Sequence, residues 1–258
     1  MLQGTSTRET RDAAREIKFL VTPDLAAHVL GWARAHLTPD PHGRGPAGDE
    51  YRIQSLYLDT DLLSVFHRHG SYARSKYRVR RYGSSDVVFL ERKMRTSRLL
   101  SKRRTSVPIE ELERLQQRSA DPSWDGYWFG QRLDVRRVAP VCQVSYHRHA
   151  LVGLGQHGPM RLTFDEGIVA QMNGTFGFLP EAGTAVASDS VIIEMKYCVD
   201  TPVVFKRVVE DFCLSPAPIS KYRLSMDVLR AEVGPVKPTV RHVNVLEGHG
   251  GIPGLINA

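Results

Sequence analysis

Cysteine is scarce in this chain of 258 residues: Cys142, Cys198 and Cys213, with no CxxC spacing among them. An odd, scattered set supports neither a disulfide framework nor a thiolate zinc site, and it suggests a reducing compartment. No uninterrupted apolar run approaches the roughly 20 residues that a membrane span needs. The polar start MLQGTSTRETRDAAR also lacks the apolar core of a signal peptide. A cytoplasmic protein is expected. There is no GxxxxGK loop, so the commonest nucleotide-binding solution is excluded. No cysteine has a His and an acid in a recognisable arrangement, which speaks against thiol catalysis.

What the chain does have is positive charge in one place. From His67 to Arg104 there are thirteen Lys or Arg against two acids, Asp86 and Glu91, a local net of +11. The rest holds 22 of the 35 basic and 26 of the 28 acidic residues, or −4, so the overall +7 is a local feature. A polyanionic partner at one site follows, with nucleic acid, a nucleoside triphosphate, polyphosphate or an anionic membrane surface as its chemistry.

Along the chain, residues 1–12 read as a disordered leader, 13–230 as one domain and 231–258 as a flexible tail rich in Gly, His and Pro. Strands are expected at EIKFLV, YRIQSLYLDT, KYRVRRYG, DVVFLERKM, LLSKRRTSVP, PVCQVSYHRHAL, MRLTFDEGIVA and SDSVIIEMKYC. Helices are expected in TPDLAAHVLGWARAHL, in DLLSVFHRHG, in IEELERLQQR, in DPSWDGYWFGQRLDVRR, in PVVFKRVVEDFC and in the second half of SPAPISKYRLSMDVLR. The short spacers favour antiparallel hairpins. The class is α+β, an antiparallel sheet of about eight strands with helices packed outside it.

Six of these strands carry polar or charged residues on one alternating face: Glu16 and Lys18, Arg78 and Arg80, Glu91 and Lys93, Tyr146 and Arg148, Arg161 and Asp165, Glu194 and Lys196. In the stretch SKYRVRRYG, Lys76 shares the face of Arg78 and Arg80. Ile17, Val79, Leu90, Leu162 and Ile193 take the opposite faces. Like charges on neighbouring strands repel, so the arrangement calls for a compensating anion. A closed antiparallel barrel with a cationic interior would gather all six sets around one channel suited to a linear polyanion. Its few carboxylates would remain for a divalent metal that bridges phosphate oxygens. Arg81, Arg92, Arg103 and Arg104 read as surface charge, and His147 and His149 as exterior.

In these motifs, with ISKYRLSM after them, the chain resembles the VTC domain, the polyphosphate-polymerase module of the triphosphate tunnel metalloenzyme superfamily. Eight motifs fall in that family's order, from Arg15 to Arg230. The resemblance implies an antiparallel tunnel barrel that binds the triphosphate of ATP with Mn²⁺ or Mg²⁺ and transfers its γ-phosphoryl group onto a growing polyphosphate chain. By motif it assigns Arg78, Arg80, Lys93, Arg148, Arg161 and Lys221 to catalysis. It assigns Lys18, Lys102, Tyr146, Lys196 and Ser220 to substrate binding, Glu194 to the metal, and Glu91 and Asp165 to further tunnel positions. The superfamily's ExExK register reads Ala14, Glu16, Lys18, so its first glutamate is absent. A free-standing, bacterial-type member is expected, with the role of a separate membrane partner open. Water as acceptor would make it a tripolyphosphatase or nucleoside triphosphatase. A nonenzymatic polyanion binder is the third reading, and the carboxylates among the cations speak against nucleic acid.

Overall fold

The computed structural model describes residues 7–11, 14–95 and 100–233. In chain order the elements are β1 (Thr7–Arg11), β2 (Ala14–Val21), α1 (Pro23–His36), β3 (Thr38–Pro39), β4 (Glu50–Asp59), β5 (Ser75–Tyr82), β6 (Val87–Arg95) and β7 (Leu100–Pro108). There follow α2 (Glu113–Gln116), α3 (Tyr127–Arg136), β8 (Ala139–Gly155), β9 (Gly158–Met172), β10 (Thr184–Ala185), β11 (Val191–Cys198), α4 (Val203–Asp211) and α5 (Lys221–Val233). Among the described residues no helix is long and apolar enough to cross a membrane. Thr7–Arg11, which the sequence places in a leader, form an edge strand, and residues 234–258 of the expected tail lie outside the described residues.

All eleven strands belong to one antiparallel sheet, ordered β1-β7-β6-β5-β4-β8-β9-β11-β2, with β3 on β8 and β10 on β9. The expected closed barrel is not formed. Among the described residues β1 and β2 are the two ends of the path and do not pair with each other. Each of these strands has a single ladder, β1 with β7 and β2 with β11, so neither is joined to a second strand among the described residues. The sheet is therefore open and strongly curled.

Curling gives each face its own core. On the convex side, Phe19, Leu162, Phe164, Ile193 and Met195 lie under Ala26, Val29 and Ala33 of α1 and Phe205 and Val208 of α4. Thr22 starts α1 by accepting the Leu25 amide at 3.4 Å, and Pro23 occupies the first turn, where a missing amide proton costs nothing. A second convex core sets Leu56, Val79, Val88 and Leu90 against Phe129 and Leu133 of α3. Burial of each such side chain contributes about 1.5–3 kcal/mol.

One helix departs from the expectation that helices pack outside. Helix α5 lies on the concave side, where Tyr222, Met226 and Leu229 meet Ile53, Tyr57, Val144, Tyr146 and Ile192. Its anchor is Asp59, fully buried, which accepts the Tyr222 hydroxyl at 2.6 Å and the amides of Thr60, Val65 and Phe66 at 2.7–2.8 Å. That same carboxylate organises turns where a helix is expected in DLLSVFHRHG; Leu63 and Arg68 there take positive φ values of 51° and 59°, which interrupt helical winding. IEELERLQQR likewise holds only one α turn, α2, after a 3₁₀ turn at Ile109–Leu112.

Candidate functional site

The apolar half of the concave face is filled by α5, and the other half is charged. Eleven basic side chains reach it: Lys18, Lys76, Arg78, Arg80, Lys93, Lys102, Arg104, Arg148, Arg161, Lys196 and Lys221. They face five carboxylates, Glu16, Asp40, Glu91, Asp165 and Glu194, which leaves a formal excess of six positive charges.

Each carboxylate of the floor is shared among cations. Glu194 on β11 receives Lys221 at 3.0 Å, Lys18 at 3.3 Å and Lys196 at 3.3 Å. Glu16 on β2 receives Lys18 at 3.1 Å, Lys93 at 3.3 Å and Lys196 at 3.8 Å. Asp165 on β9 takes a two-pronged contact from Arg148 at 2.5 and 2.6 Å and a further bond from Lys221. Glu91 on β6 collects Arg78 at 2.6 Å and Lys102 and Arg104 at 3.3 Å. Burial alone would push these carboxyls up, yet the surrounding cations win and hold all four below the usual carboxylate range.

Two cations lack such a partner. Arg80, 6% exposed, donates to Ser55 Oγ at 3.1 Å and to the Tyr146 hydroxyl at 3.2 Å. Among the described residues no carboxylate meets it at ion-pair distance. Among the described residues Lys76 donates to Ser220 Oγ, at 3.0 Å, and meets no carboxylate at ion-pair distance. A buried guanidinium without a counter-ion costs several kcal/mol, which an arriving anion offsets. Enclosure by the sheet, opposed by the charges of Glu194 and Glu16 and reinforced by those of Arg148 and Lys93, leaves the Lys196 ammonium pushed down to about 8. Tyr82, beside Arg80, is also brought to about 8: burial pushes it up, but Arg80, Arg104 and Arg78 together outweigh that effect.

Every residue assigned from sequence to catalysis, substrate or metal reaches this face. Arg161 stands at its rim, held by Asp40 at 2.8 Å and by the Tyr51 hydroxyl. His149 is turned away, bonded to Asp49 at 3.1 Å as an exterior residue. Four members carry no role in the sequence reading: Arg104, Glu16, Lys76 and Asp40, the last in a stretch rich in Pro and Gly. Arg104 was read as surface charge, yet it reaches Glu91 and stacks 3.5 Å over the Phe89 ring. Its signal was present, since it lies two residues from Lys102. Glu16 and Lys76 share parity with assigned residues and were given no role.

Among the described residues no three His, Cys, Asp or Glu side chains converge on a point that could hold a metal ion. A site made by protein alone does not fit, because three ammonium groups already crowd Glu194. A hard cation carried by one or two carboxylates and completed by phosphate oxygens does fit this donor set.

An open antiparallel sheet is thus curled around a lysine- and arginine-rich cleft, with an apolar helix filling one end. The family model described as the VTC domain matches residues 13–230. The chain therefore belongs to the VTC domain family. Among solved structures it is similar to a candidate adenylate cyclase from Bacillus halodurans, with 15% identity and a TM-score of 0.51, covering 83% of this chain and 95% of that one. A candidate adenylyl cyclase from Hippeastrum, described as having a dominant triphosphatase activity, aligns at 16% identity and a TM-score of 0.44 over 84% and 97% of the two chains. One from Vibrio parahaemolyticus aligns at 12% and 0.44 over 83% and 98%. These likenesses concern the fold. No curated protein sequence matches the chain.

Proposed function

We propose that the chain is a metal-assisted phosphotransferase that moves the γ-phosphoryl group of ATP onto inorganic polyphosphate. The observation that carries this reading is Arg80, buried without a carboxylate among ten further cations that outnumber their counter-ions. Phosphoryl transfer asks a protein to align phosphates and neutralise charge, which arginine forks and lysine point charges do. Arg78, Arg80, Arg148, Arg161, Lys93 and Lys221 would neutralise the transferring group, and Lys18, Lys102, Lys196, Tyr146 and Ser220 would hold the rest of the chain. Glu194 would hold a divalent ion, Mn²⁺ or Mg²⁺, which supplies Lewis-acid neutralisation of phosphate oxygens when bound.

The choice of acceptor follows from the carboxylates. All four of the floor are kept ionised by paired cations and are weak bases at neutral pH. None is poised to take a proton from water, whereas a phosphate chain end is already ionised and needs no base. ATP and polyphosphate would then be the partners, the cytoplasm, where ATP is supplied, the location, and nucleic acid would be excluded.

The test is incubation with ATP and Mn²⁺ followed by a polyphosphate-stained gel and a parallel assay of free phosphate. Long polymer with ADP, absent from an Arg78→Ala/Arg80→Ala double variant, is the expected result. Free phosphate without polymer would make the protein a hydrolase instead, and binding without turnover would leave only a polyanion binder.

A further inference from the structure

Lys76 and Ser220 form a pair that phosphate gripping alone does not explain. The Lys76 Nζ lies 3.0 Å from the Ser220 Oγ. The charges that act most strongly on Lys76 are those of Lys18, Lys93, Arg78 and Arg223, all of its own sign. Enclosure by the sheet and then these like charges push its ammonium down to about 7, although water reaches the side chain. At neutral pH a large share of Lys76 is therefore free amine while the cleft is empty. It accepts the hydroxyl proton along the line on which the ammonium donates.

Ser220 is buried and stands immediately before α5, and its carbonyl accepts the Leu224 amide at 2.9 Å. Its hydroxyl is thus at the electropositive end of a 13-residue helix. Lys18 donates to the neighbouring Ile219 carbonyl at 3.3 Å, and Lys221 follows directly. A hydroxyl, a base in reach of it and cations for the incoming phosphate are the parts of nucleophilic catalysis.

We propose that Ser220 accepts a phosphoryl group covalently from a nucleoside triphosphate bound in the cleft, with Lys76 as its general base. The proposal rests on reading the cleft as a triphosphate site. The Ser220 Oγ attacks the γ-phosphorus, and an O–P bond forms as the bond from that phosphorus to the bridging oxygen breaks. The nucleoside diphosphate leaves with the electron pair, and the hydroxyl proton passes to Lys76 Nζ. The products are a phosphoserine dianion at a helix N-terminus and an ammonium group beside it, each stabilising the other.

The experiment incubates the full chain with γ-labelled ATP and Mn²⁺, quenches in acid and fragments the tryptic peptide 208–221, which also contains Ser215. Acid-stable label on Ser220 is expected, absent in Ser220→Ala and reduced at least tenfold in Lys76→Arg, which keeps the charge but takes no proton. Protection of thermal unfolding by tripolyphosphate verifies that both variants fold and bind. An unlabelled Ser220 in the wild type, acid-labile label on Lys76, or undiminished label in Lys76→Arg each overturns the proposal. A polyphosphate gel of the same reaction separates the two readings: polymer without label leaves the polymerase standing, and label without polymer leaves this proposal standing.

Discussion

Lys93 on β6 and Glu16 on β2 meet at 3.3 Å, although five strands separate β6 from β2 along the hydrogen-bonded path of the sheet. Such a contact requires the sheet to curl until its two halves face each other across the cleft. Side chains join the halves where backbone pairing does not. The cleft's charges therefore act on one another across a short gap, and changes at one wall are felt at the other.

Glu194 illustrates this, because its carboxylate occupies three ammonium groups from β2, β11 and α5. Glu194→Gln removes one of the two carboxylates that each of the three meets, leaving Glu16 to Lys18 and Lys196 and Asp165 to Lys221. In EDTA, calorimetry should show tripolyphosphate binding about tenfold more tightly, a gain of ~1.4 kcal/mol. Polymer synthesis in Mn²⁺ should fall at least as far in the opposite direction. Parallel losses in both measurements would contradict the metal role of Glu194.

The Arg148–Asp165 pair is almost wholly buried. Arg148→Met strips Asp165 of its two-pronged partner and should cost about 3–5 kcal/mol in urea unfolding, with Lys221 holding the loss to the lower part of that range. The double variant Arg148→Met/Asp165→Leu should lose less stability than the two single changes summed. Simple additivity would show that the pair is not coupled.

Arg104→Gln should weaken tripolyphosphate binding by about 10- to 100-fold, the range of a lost charge-assisted hydrogen bond. Arg103→Gln should leave binding unchanged, since Arg103 lies 4.1 Å over the Trp128 ring on the opposite face. Equal effects of the two changes would argue against a one-faced site.

The strands and their charged face were legible because alternation has a period of two whatever the surroundings. Arg104 was lost to a misreading of the same rule, for Lys102 and Arg104 share parity. What alternation does not encode is which strand pairs with which. The open edges of β1 and β2, and the choice of α5 over solvent for the concave face, depend on contacts between residues far apart in sequence, such as Asp59 with Tyr222. Lys76 passed without a role because its importance arises from Ser220, 144 residues away.

Proton linkage has two opposite consequences. Glu16, Glu91, Asp165 and Glu194 titrate below their ordinary values when folded. Their stabilisation is present above about pH 4.5 and should be lost progressively as pH falls below it. Lys76 at about 7, and Lys196 and Tyr82 at about 8, lose protons earlier in the folded chain than in the unfolded one. The free protein should therefore gain stability from pH 7 to 10, while its affinity for tripolyphosphate declines over the same interval as two cations discharge. Urea melts and calorimetry across pH 4–10 read both trends; a parallel rise in stability and affinity would be incompatible with them.

A cleft whose walls are drawn together by ion pairs such as Lys93–Glu16 has a compliance set by the solvent. Dilute salt tightens the span between β6 and β2, and concentrated salt slackens it, because screening acts on these contacts and leaves the backbone ladders untouched. A polyanion drawn in would compete with Glu16 for Lys93 and so loosen the grip of one wall on the other. On that reading the molecule would behave less like a rigid pipe than like a sprung clip, opened by the charge of what enters it.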